Sequence, residues 1–117
     1  MILFDSAYHP PRGPGHHTVV VPPRLEGKTA LLEFLRETVP LPDYFGGNWD
    51  ALEECLGDPD VLRARVVALV HHDLPLESEP DQQRIYLQIL GAAAEDSPRL
   101  HAVFPHDYRE QVLKVVG

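Results

Sequence analysis

The sequence has a single cysteine, Cys55, so no intrachain disulfide can form and nothing in it points to an oxidising compartment. A cytoplasmic protein is expected. Cationic residues are also scarce, with 10 Lys plus Arg against 18 Asp plus Glu and a net charge of −8. Such a surface repels phosphate backbones, which disfavours direct binding of RNA or DNA, while it steers a basic partner inward. Long apolar runs are missing too. The opening MILFDSAYHPPRG has no basic leader and its apolar run stops at Asp5, too short for a signal peptide or a membrane span. There is no Walker A loop, dinucleotide fingerprint, Gly-x-Ser-x-Gly elbow or zinc-finger spacing, so no cofactor and no enzymatic activity are expected.

What is present suits one globular domain: 117 residues, 44% hydrophobic and 24% charged. Residues 1–17 read as an N-terminal arm, because Asp5 to His17 is rich in Pro, Gly and His, with Met1 to Phe4 as a short edge strand. The domain then runs over 18–117. Thr18 to Val21 is a β-branched strand stopped by Pro22 and Pro23. Thr29 can cap a first helix carrying Leu31, Phe34 and Leu35, ended by Pro40 and Pro42. Asn48 has the chemistry to cap a second helix from about Trp49 to Leu56, closed by Gly57, Asp58 and Pro59. A strand is expected from about Arg65 to Val70. Ser78 to Asp81 resembles a capping box opening a third helix to about Glu95, with Ile85, Ile89, Leu90 and Ala93 inward. Leu100 to Phe104 reads as a strand. A C-terminal helical extension from about residue 106 should dock through Val112, Leu113 and Val116. Strands alternating with helices over connections this long predict an α/β fold with a small parallel sheet.

The second helix is two-faced. At 100° per residue from Trp49, the apolar Leu52, Cys55 and Leu56 fall near ~300°, ~240° and ~340°, whereas Glu53, Asp50, Glu54 and Asp58 spread from ~40° to ~180°. Acidic residues in a first turn gain from the helix dipole, so the strip has both a local and a cation-binding explanation. Cys55, on the apolar side, is expected to be a core thiol.

The stretch LPDYFGGNWDALEECLGD resembles the central motif of the barstar family of intracellular ribonuclease inhibitors. Pro42, Tyr44, Gly46, Asn48, Asp50, Ala51, Leu52, Cys55 and Leu56 reproduce its pattern at unchanged spacing. The order of elements is also similar, from about Thr18 to Phe104. The resemblance implies a three-stranded parallel sheet packed with helices, and a loop and second helix that plug the active site of a basic ribonuclease or related nuclease toxin. No metal is expected, and the free protein is expected to be a monomer. The partner-binding residues it implies are Tyr44, Gly46, Asn48, Asp50, Glu53 and Glu54. Tyr44 and Asp50 match family contact positions, and Glu54 stands where the family has its principal Asp. Glu53 replaces a Trp, and Ala92 stands where a contact Glu is expected on the third helix. One extra methylene at Glu54 moves a carboxylate by about 1.5 Å, which requires a different cleft geometry.

Two other readings compete. His71, His72, Asp73 and His106 fall just past expected carboxyl ends of strands, where open α/β sheets bind ligands, and could serve a small metal-dependent enzyme; the plainer reading makes them solvated loop residues. The scaffold could also be an interaction module without nuclease inhibition.

Overall fold

The computed structural model describes residues 1–5, 15–25, 27–39, 41–42, 45–58 and 66–116. Four strands, β1 (Ile2–Phe4), β2 (His16–Val21), β3 (Val66–His71) and β4 (Leu100–Phe104), are joined by helices α1 (Gly27–Thr38), α2 (Trp49–Gly57), α3 (Pro80–Asp96) and α4 (Arg109–Val116), the last preceded by a 3-10 turn at His106–Tyr108. The strands form one sheet in the order β1-β4-β3-β2, and every pairing is parallel. The α/β class and the C-terminal helix are therefore as the sequence predicts, but the sheet has four strands where three were expected. The fourth is β1, whose Ile2 and Phe4 sit opposite Ala102 and Phe104. Its ladder is continued by the Asp5 N–H to the Phe104 carbonyl at 3.1 Å and the Ala102 N–H to the Met1 carbonyl at 2.9 Å. Pairing satisfies the edge of β4, which would otherwise leave backbone groups unmade.

Register sets the two faces of the sheet. Val19, Leu69 and Ala102 align across β2, β3 and β4, as do Val67 and Leu100. These residues share one buried cluster with Leu31, Leu32 and Leu35 of α1, Leu52, Cys55 and Leu56 of α2, and Tyr86, Leu87 and Leu90 of α3. Each large aliphatic side chain taken out of water here stabilises the fold by about 1.5–3 kcal/mol. His17, on the same face of β2, joins the strand to the end of α1 by donating from Nε2 to the Thr38 carbonyl at 2.6 Å.

Helix starts differ from the expected caps in two places. Helix α1 begins at Gly27, leaving Thr29 inside the first turn, and the Lys28 N–H is met by Glu79 Oε1 at 3.3 Å. Helix α3 begins at Pro80 after Glu79, with no side-chain cap, so the Ser78 capping box does not form. A carboxylate distant in sequence has taken over the orphan donor of α1, a tertiary solution that local capping rules do not anticipate.

Helix α4 packs on α3. Val112 is fully buried and Val116 rests against the core, but Val115 takes the place expected for Leu113, which is only half-buried. The approach is close at Gly91, where a Cβ would lie 2.9 Å from a methyl of Val116. Truncation after Tyr108 is expected to cost about 2 kcal/mol or more through loss of the Val112 contact alone, read as a lowered thermal midpoint. An unchanged midpoint would mean that α4 is not docked in solution. Among the described residues, no helix is long and apolar enough to cross a membrane.

Candidate functional site

Helix α2 is fixed from its start. The Asn48 side chain accepts from the Ala51 N–H at 2.7 Å, and the Asn48 carbonyl accepts from the Leu52 N–H at 3.0 Å. Asn48 is thus the N-cap that its position predicts, and its side-chain oxygen is committed to the helix. Leu52, Cys55 and Leu56 are buried, each at 3% exposure or less. Burial pushes the Cys55 thiol pKa up, and the Glu54 and Asp58 carboxylates add to the shift, so the thiol stays protonated and unreactive.

Trp49 provides the second anchor. It is buried, and its indole N–H donates to Gln82 Oε1 on α3 at 2.7 Å. Its ring lies 5.9 Å from that of Tyr86, with the Lys28 ammonium 5.8 Å from its centroid. With one face seated in this way, Asp50, Glu53 and Glu54 are all exposed on the other. The helix presents three carboxylates to solvent with no opposing Lys or Arg in its own sequence. Asp50 and Glu54, one helical repeat apart, are separated by about 6 Å along the axis.

The loop before α2 is held by a residue that pattern reading did not single out. Arg36 of α1 donates from Nη2 to the Phe45 carbonyl at 3.3 Å, and its guanidinium lies 5.6 Å from the centroid of the Phe45 ring. Phe45 is buried, and its N–H donates to the Pro42 carbonyl at 2.9 Å. Gly46 is exposed and has ordinary room for a side chain. Gly47 has φ 74°, a conformation that favours glycine, and a Cβ there would lie 2.5 Å from Arg36 Nη2, so a side chain would have to displace the guanidinium. Tyr44 lies outside the described residues. The expected set is therefore brought together for Gly46, Asn48, Asp50, Glu53 and Glu54, with Asn48 engaged internally. Ala92 is exposed on α3.

The histidine group is not assembled. His71 is not a loop residue but the last residue of β3, 3% exposed. Its Nδ1–H donates to the Val103 carbonyl at 2.9 Å, which leaves Nε2 to accept from the Tyr86 hydroxyl at 2.7 Å. The ring stacks on Phe104 at 4.2 Å. Burial lowers the His71 pKa to about 4, and raises that of the Tyr86 phenol. Both ring nitrogens are thus occupied in a neutral core contact. His72 and His106 are exposed, while Asp73 accepts from the Arg24 N–H at 3.2 Å. Among the described residues, no three His, Cys, Asp or Glu side chains are placed to share a metal ion.

A family model described as Barstar (barnase inhibitor) matches residues 16–113. No curated protein and no solved structure matches the chain.

Proposed function

The chain belongs to the barstar family, and from that premise we propose that it inhibits a basic ribonuclease, or a related nuclease toxin, by inserting the loop from Gly46 and the exposed face of α2 into the enzyme's active site. The observation that carries this reading is the division of α2. Its apolar side is locked into the core, and Asp50, Glu53 and Glu54 face outward from a rigid support. A cleft that stabilises phosphate presents Arg, Lys and His, and carboxylates at successive helical turns accept charge-assisted hydrogen bonds from such groups. Because α2 is already ordered, little conformational entropy is lost on docking. Such binding needs no catalytic step by the inhibitor, and it is compatible with a cytoplasmic monomer.

The test is titration of the purified chain against barnase and a panel of other basic ribonucleases, with cleavage of a fluorogenic RNA as the readout. Stoichiometric inhibition of at least one enzyme is expected. Association should be fast at low salt and slow steeply as the ionic strength rises, because the Debye length shrinks from ~10 Å at 0.1 M to ~3 Å at 1 M. Failure to inhibit any member would leave the scaffold as an interaction module. Inhibition with a salt-independent association rate would place the contact on an apolar surface instead.

A further inference from the structure

We propose that Arg36 is a positioning residue for binding: it holds the segment from Phe45 to Gly47 in its docking conformation without itself contacting the partner. This rests on the inhibitor reading above and adds a determinant outside the acidic strip. Arg36 belongs to α1, yet it meets the loop in two ways, through the hydrogen bond to the Phe45 carbonyl and the guanidinium over the Phe45 ring, and its Nη2 takes the space a Cβ at Gly47 would enter. Glu33, one turn earlier, forms an exposed ion pair with it, 3.8 Å from Nη1. The Arg36 side chain lines a cavity of about 210 Å³ with Leu41, Pro42 and Phe45. Gly46 and Gly47 alone would leave this segment many conformations, and glycine loses more freedom on ordering than any other residue. An external clamp removes that freedom before the partner arrives.

Charge alone predicts the opposite of the clamp. The chain is acidic and its partner basic, so if Arg36 acted only through its charge, removing it would strengthen binding. The proposal requires Arg36→Ala to weaken it. Three chains, wild type, R36A and R36K, are compared by hydrogen exchange at the Phe45 and Ala51 amides and by inhibition of the same ribonuclease panel. In R36A the Phe45 amide should exchange on the order of tenfold faster, and inhibition should weaken by a similar factor, as expected for one lost hydrogen bond to a charged donor. Exchange at Val67 and Leu69 should stay unchanged, which separates loop loosening from unfolding. Lys keeps a charge but not the planar fork, so R36K should recover only part of each effect. Unchanged exchange at Phe45 in R36A overturns the clamp, a result that needs no partner. Loosened exchange with equal or tighter inhibition overturns the link to binding. If wild type inhibits nothing, the inhibitor reading fails and this proposal fails with it, whatever the exchange data show.

Discussion

Replacing Asp50 and Glu54 together by Ala is expected to abolish inhibition while leaving the fold intact. Both side chains are exposed on α2, and neither belongs to the buried cluster that holds the helix. In the complex each carboxylate would accept hydrogen bonds from cationic groups of the enzyme, worth about 1.5–3 kcal/mol apiece, so losing two removes about 3–6 kcal/mol. That corresponds to a loss of affinity of roughly a hundredfold to ten-thousandfold. The free protein should respond little. Like charges one helical repeat apart cost about 0.2–0.5 kcal/mol, and Asp50 in the first turn returns about 0.3–1 kcal/mol through the helix dipole, so stability should change by less than about 1 kcal/mol in either direction. Inhibition titrations and thermal melts on the same preparation decide the matter. A variant that unfolds makes the strip structural, and one that inhibits undiminished makes it a solvated surface without a role in binding.

Acid should destabilise the protein through His71. In the folded state the ring remains neutral until the pH falls to about 4, whereas the unfolded ring takes up its proton near the ordinary value of 6.5. Between those values the unfolded chain holds a proton that the folded chain does not, so stability rises with pH across that window. The contribution is complete above about pH 6.5 and declines as pH falls toward 4, by about 3 kcal/mol in all, at 1.36 kcal/mol per pKa unit. Urea unfolding at pH 7.0, 5.5 and 4.5 should show the midpoint falling at each step. In the double variant His71→Phe with Tyr86→Phe the slope across this window should flatten. An aromatic ring remains to stack on Phe104 and no unpaired phenol is left behind. A slope that persists in that variant would assign the acid sensitivity to other groups. His71→Ala would be harsher, since it opens a void and leaves the Tyr86 hydroxyl without its partner.

The sequence made the second helix legible because three local signals coincide there. Asn48 has cap chemistry, the apolar residues recur with helical spacing, and the carboxylates fall opposite them. The structure realises all three. Strands β3 and β4 were readable for a similar reason, being short apolar runs buried within a parallel sheet. What local reading could not supply are partners distant in sequence. The pairing of Ile2–Phe4 with β4 depends on residues at opposite ends of the chain. His71 looks like a polar residue after a strand, and only the fold reveals that Val103 and Tyr86 satisfy it in the core. Glu79 carries no signal that it will meet the start of α1. Arg36 sits on an exposed helix position, where an arginine is normally read as a solubilising charge, and its contact with Phe45 appears only once the chain turns back after α1.

The place of β1 at the edge of the sheet has a consequence for the order of assembly. The contacts between β2 and β3 join segments about fifty residues apart, as in His16 with Val66, whereas Ile2 must wait for Ala102. On a chain emerging from the ribosome, β2, α1, α2 and β3 can come together while β1 has no strand to join. The first strand made is then the last to be incorporated. Closing so long a loop costs entropy before its three-residue ladder returns any energy, which puts β1 late in folding and early in unfolding. Until it docks, the free edge of β4 is exposed to whatever other strand is nearby, so the interval before this pairing leaves the chain open to association with its own kind.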